Sequence, residues 1–320
     1  MPRPDELGFD LLAAGQSLLL ALLFLLLAAF PGQLLNKTWE ENYAEINGWF
    51  RRGGRLGARL KVALDQFWRH RVGILVFIVL SALLYGFLSP EFGPTAESAA
   101  ALIGILVGLG VVVAVFELPI VFAQRRVLKD RGRMRVLPLT ILIAIVCVLL
   151  SRLAEFQPGY LYGLVAGWAF AGSLELRDEA RAHVMTGVWM LIVAVGAWLL
   201  LPLAEDSLAG QPLLDMAVAA GLATIFVAGL EGLLFELVPL RFLRGEKVYE
   251  WRRGVWAALF LAAGFAFAYI LLNPTAGYLG TTRLSPLVPA VLLFVGFGIV
   301  SVLFWAYFRY RPAREPIASD

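Results

Sequence analysis

The chain has 320 residues, of which 60% are hydrophobic and 16% charged, with a net charge of +3. Soluble domains carry about 25% charged residues, so this composition leaves too little polar surface to cover a globule in water. With a single cysteine, Cys147, and only two histidines, His70 and His183, an intramolecular disulfide and a cysteine-based metal site are excluded, and a zinc hydrolase is not expected.

An apolar stretch of about 18 or more residues with few charges is long enough to cross a bilayer as a helix. Nine such stretches are predicted: 9–31, 71–89, 99–122, 136–153, 158–174, 184–203, 213–238, 254–272 and 286–308. The fifth is the weakest, being short and ending before Glu175. The first has an apolar run longer than that of a secretory signal and an acidic rather than basic flank. It reads as a retained leading helix (1–35), with a cleaved signal as the alternative.

Residues 36–70 form the longest polar segment. "TWEE" (38–41) fits a capping box, with Thr38 as the cap and Glu41 three positions on. "RRGGR" then leads into "LGARLKVALDQFWRH". At 100° per residue, Leu56, Leu60, Ala63, Leu64, Phe67 and Trp68 share one arc. Arg55, Arg59, Lys61 and Arg69 fill the other. A basic amphipathic helix beside a membrane span is expected to lie on anionic lipids of the inner leaflet, or to pack under the bundle and bind a cytoplasmic protein partner.

Lys and Arg concentrate in alternate connections. All but Arg3, Arg152 and Arg283 of the 27 fall on one side of the nine-span plan. The positive-inside rule makes that side cytoplasmic. The expectation is a plasma-membrane protein with its N-terminus outside and its C-terminus, the 309–320 tail, in the cytoplasm.

A phrase occurs twice. Residues 114–127 read "AVFELPIVFAQRRV" and 233–245 read "LLFELVPLRFLRG". Each is followed by a basic loop, a helix and a Pro…Gly-Tyr ("QPGYLYG", "NPTAGYLG"). Glu117 and Glu236 are 119 residues apart, Tyr160 and Tyr278 118 apart. Helices 2–5 (71–174) and 6–9 (184–308), joined by a mixed-charge linker at 175–183, therefore read as two copies of a four-helix unit. The fold class is an all-α polytopic membrane protein, 1 + 4 + 4, with parallel repeats.

The carboxylates in the repeated phrases need partners, because an unpaired charge inside the bilayer costs at least a few kcal/mol. The flanking arginines of each basic loop, Arg125 and Arg241, are the expected ones. Pro119 and Pro239 end or kink their helices and free backbone carbonyls. Glu231, one turn deeper than Glu236 and without a repeat counterpart, is a candidate for something more specific. The functional reading of Glu117, Glu231 and Glu236 is ion-coupled transport; the structural reading is buried salt bridges.

No phosphate loop, Ser-His-Asp order, metal spacing or nucleotide fingerprint is present. No catalytic residue, metal, cofactor or nucleic-acid partner is expected, and the oligomeric state is left open. At "FELVPLRFLRG", with "FPGQLLNKTWEENYAEI" and "QPGYLYGLVAGW", the chain resembles actinobacterial multipass proteins named for an FGLLP motif. Glu236 and Val238 stand where that motif has its glycine and second leucine. The resemblance implies membrane topology and no catalytic activity. A non-enzymatic membrane anchor or scaffold is expected, the alternative being a secondary transporter or lipid-handling protein with a site between the repeats.

Overall fold

A computed structural model describes residues 3–5, 7, 10–43, 45, 71–89, 91–128, 133–136, 141, 144–146, 148–149, 166–169, 174–208, 210–241, 243–272 and 287–310. These are overwhelmingly helical. The helices are α1 (Leu11–Glu41), α2 (Arg71–Gly86), α3 (Ala96–Leu128), α4 (Leu176–Leu208), α5 (Pro212–Glu236), α6 (Arg244–Trp251), α7 (Arg253–Ala266, extended by a π-helical turn Phe267–Leu271) and α8 (Leu287–Tyr310). Five of them are long and apolar enough to cross a membrane: α1, α3, α4, α5 and α7 with its π-turn. Shorter apolar helices lie within α2 and α8. The helical residues Ala144 and Val148 pack against Leu84, Tyr85 and Leu88 at the end of α2.

The boundaries differ from expectation in four places. First, α1 runs unbroken through Pro31 to Glu41, so Thr38 is no helix cap. It is 2% exposed and its hydroxyl donates back to Leu34 O at 2.8 Å, as a threonine inside a helix does. Second, α3 continues through Pro119 to Leu128. Third, the 175–183 linker, expected as a solvated linker or a short helix, is helical from Leu176 but belongs to the long α4, with Ala180 and Ala182 buried. Fourth, Ala166–Ala169, inside the fifth expected span, is a strand (β2) paired antiparallel with Arg133–Val136 (β1). Gly159, Gly163, Gly167 and Gly172 fall in that stretch, and glycine costs about 1 kcal/mol relative to alanine in a helix. The expected amphipathic helix, with Arg55, Leu60, Leu64, Phe67 and Trp68, lies outside the described residues, as do Cys147, Tyr160 and Tyr278.

The most extensive helix–helix contact joins α3 to α5. It is built on glycine. A Cβ on Gly104 would strike the backbone of Ala217 and Gly221, and one on Gly108 would come within 2.7 Å of Gly221 O. Small residues let two backbones approach this closely, which is how helices associate where lipid removes the hydrophobic driving force. Phe24 and Ala28 of α1, Met190 of α4, Phe226 of α5 and Phe260 of α7 are fully buried in one core. Helix α1 also lies along α8, where Phe24 stacks on Phe294 at 4.4 Å.

Candidate functional site

The segment from Glu236 to Gly245 is where the second repeated phrase leaves its helix. Backbone bonds from Leu237 N to Leu233 O and from Val238 N to Phe235 O close α5. The chain then folds back. The carbonyls left by this ending take side-chain donors: Trp256 Nε1 donates to Leu237 O at 2.7 Å, and Asn36 Nδ2 to Pro239 O at 2.9 Å. Asn36 Oδ1 also accepts from Arg241 N at 3.0 Å, so one amide grips the turn from both sides. Leu237, Val238, Leu240 and Leu243 are buried. A Cβ on Gly245 would collide with the carbonyl group and Cα of Leu237, so only glycine lets α6 start this close to the end of α5.

That return brings Arg244 into the bundle. Its guanidinium bonds Glu117 of α3 and lies 3.4 Å from Glu236 of α5. It also donates to Phe116 O at 2.7 Å and sits over the Phe116 ring, 5.6 Å from its centroid. Glu117 is 5% exposed, and the Arg244 and Glu236 side chains are 22% and 19% exposed. One arginine thus holds the glutamates of both Phe-Glu-Leu phrases. The expected local pairings are corrected: Arg241 pairs with Glu40 of α1 at 3.1 Å, and Glu117 reaches an arginine 127 residues away. Glu117 lies on a continuous helix that carries Arg125 eight residues, or about 12 Å, beyond it, where Arg125 is exposed.

The two prolines also part ways. Pro239 lies past the end of α5, whereas Pro119 is buried inside α3. Pro119 lacks the N–H that Val115 O would accept, and its ring opens the turn. The neighbouring Phe116 O takes side-chain donors there, Arg244 at 2.7 Å and Thr186 Oγ1 at 3.4 Å.

Glu231 is 1% exposed and lies within electrostatic range of Tyr85 of α2. It is separate from the bridge but near it: the Phe116 ring under Arg244 is 3.4 Å from where a Cβ on Gly232 would be. Of the expected site residues, the fold brings together Glu117, Glu236 and the chain around Pro119 and Pro239. Arg244, Asn36, Gly245 and Trp256 were missed. The signal for Arg244 was present: an arginine stands eight residues after the glutamate in both phrases, Arg125 and Arg244. The Gly104–Gly108 spacing was an equally readable sign of close helix packing.

The same end of the bundle holds further polar ties. Gln33 of α1 donates to the Tyr249 hydroxyl, and Tyr249 meets Trp256 edge-on at 5.1 Å. At the opposite end Arg3 pairs with Glu205 near the end of α4. Burial and the neighbouring Glu250 carboxylate push the Glu246 carboxyl above the usual range. Among the described residues no group of three or more His, Cys, Asp or Glu is placed to hold a metal ion. No protein-family model matches the chain, and no curated protein or solved structure matches it either.

Proposed function

We propose that the chain is a non-enzymatic membrane scaffold that presents a braced, basic cytoplasmic face to a protein partner. The observation that carries this reading is the use made of the repeated carboxylates: Glu117 and Glu236 are bound by Arg244 at a junction of three helices. A carboxylate engaged in that way braces the helix ends that carry the basic face. The 1 + 4 + 4 plan, N-terminus outside, in the plasma membrane belongs to this reading, its fifth segment no longer a plain helical span because Ala166–Ala169 is a strand, and so does the resemblance to FGLLP-motif proteins. The parallel repeat is supported by α3 and α5, equivalent helices in the two copies, crossing at Gly104 and Gly221, 117 residues apart. In this reading the basic segment at 55–69, expected from its sequence to be an amphipathic helix, holds the anionic inner leaflet beside the partner.

A pull-down from native membranes tests the proposal. A partner recovered in stoichiometric amount with the intact chain, and lost when Arg55, Arg59 and Arg69 are neutralised, supports it. Recovery that ignores those charges contradicts it. Orientation is checked by cysteine labelling of intact cells: Ser207→Cys reacts and Gly132→Cys does not.

The transporter reading keeps one specific observation in its favour, the fully enclosed Glu231 on a helix at the interface between the copies. It predicts a Glu231→Gln protein that melts like the parent and no longer moves protons in proteoliposomes.

A further inference from the structure

We infer that the α6–α7 corner is a docking site for anionic phospholipid headgroups. The span Arg253–Leu271 is 19 residues long, about 28 Å at 1.5 Å per residue, and so matches the hydrocarbon thickness from end to end. Its first residue therefore lies at the membrane–water boundary. There Arg252 and Arg253 are adjacent and both exposed. Each guanidinium lies over a ring at the same level: Arg252 over Trp251 and Arg253 over Tyr249, both at 5.2 Å. Stacking holds the planar cations while their N–H edges stay available, and a guanidinium fork matches a phosphate in geometry and charge.

The neighbouring charges leave that pair of cations in place. Lys247 and Glu250 face each other at 3.8 Å, which pairs the nearest carboxylate on α6 with a lysine. Gly245 and Val248 are buried on the other side of α6, which fixes the corner against the bundle. Trp251, half-buried, is the aromatic that a docked lipid would touch. Trp and Tyr are favoured at this depth for their amphipathic rings.

The inference rests on the membrane reading and is independent of the scaffold proposal. It is tested with the full-length protein in phosphatidylcholine vesicles containing phosphatidylglycerol, with brominated acyl chains on one lipid or the other. The difference in quenching between the parent and Trp251→Phe isolates the share of Trp251. That share should report at least about fivefold enrichment of the anionic lipid at low salt, the effect of about one arginine near an anionic surface. The double variant Arg252→Gln/Arg253→Gln should abolish the enrichment, and Arg252→Lys/Arg253→Lys should keep part of it. The two arginine double variants should melt like the parent, since both side chains are exposed. Equal quenching by both lipids in the parent, or a preference unchanged in the double Gln variant, overturns the inference.

Discussion

The two copies of the Phe-Glu-Leu phrase adopt opposite conformations. In the first, the helix passes through its proline and continues to Leu128. In the second, the helix stops at Glu236 and the chain turns back. Aligned on the glutamate, the phrases share Phe, Glu, Leu and the arginine eight residues on, and two of their differences, with one difference in surroundings, explain the outcome. The proline comes two residues after the glutamate in the first copy and three after in the second. Arg126 stands where the second copy has Gly245, the residue whose missing Cβ lets α6 approach Leu237. And only the second copy has Asn36 and Trp256 at hand to take its freed carbonyls. A proline weakens a helix by removing one hydrogen bond; whether the chain then breaks depends on what accepts the ends. The consequence is that equivalent arginines do different work. Arg125 stays exposed in the last turn of the continuous helix, and Arg244 is carried back to the glutamates of both phrases.

Breaking that difference should cost most at Arg244. Arg244→Leu leaves two carboxylates without their shared cation and should destabilise by about 3–5 kcal/mol, the scale for orphaning a buried ion pair. Arg125→Leu should change the melting temperature little. A scan of both variants in one detergent checks the contrast.

Gly245→Ala comes next. The added Cβ has backbone in its way, so α6 must shift and both ion pairs of Arg244 lengthen; a loss of about 1–3 kcal/mol is expected, the range for overpacking. Arg126→Ala, the same position in the first copy, should melt like the parent.

Asn36→Ala removes two hydrogen bonds to the turn and should lower stability by about 1–2 kcal/mol. It should also speed hydrogen exchange at the Arg241 amide, which Asn36 accepts, while the α3 amides around Pro119 keep their rates.

Much of this architecture was legible beforehand. The apolar runs located α1, α3, α4, α5 and α7 because membrane thickness fixes span length whatever the details of packing. The duplicated phrase located Glu117 and Glu236 for the same kind of local reason. What the sequence hid was tertiary. Pairing by nearness along the chain led to Arg125 and Arg241, but a buried carboxylate is satisfied by whatever the fold brings to it. Thr38 looked like a cap because the stretch around it is polar, and it stayed helical because α1 packs along α8 and the turn after α5. The fifth span was judged by apolarity alone, which does not separate a helix from a glycine-rich strand at 166–169.

The smallest expected effect is at Glu246. Burial and Glu250 raise its folded-state value above the unfolded one. The group therefore contributes most below its unfolded value, and that contribution is lost as pH rises through the folded one. Glu246→Gln should melt slightly higher than the parent near neutral pH and equal to it in mild acid.

The central claim, that one arginine ties the glutamates of the two phrases together, is tested most directly by a double-mutant cycle between Glu117 and Arg244. Thermal or denaturant stability is measured for Glu117→Gln, Arg244→Met and the pair, beside a control cycle of Glu117→Gln with Arg125→Met. The account predicts that each single change at the bridge is destabilising, that the pair costs less than their sum by about 1–3 kcal/mol, and that the control cycle is additive. Additivity between Glu117 and Arg244, or coupling between Glu117 and Arg125 in its place, would contradict it.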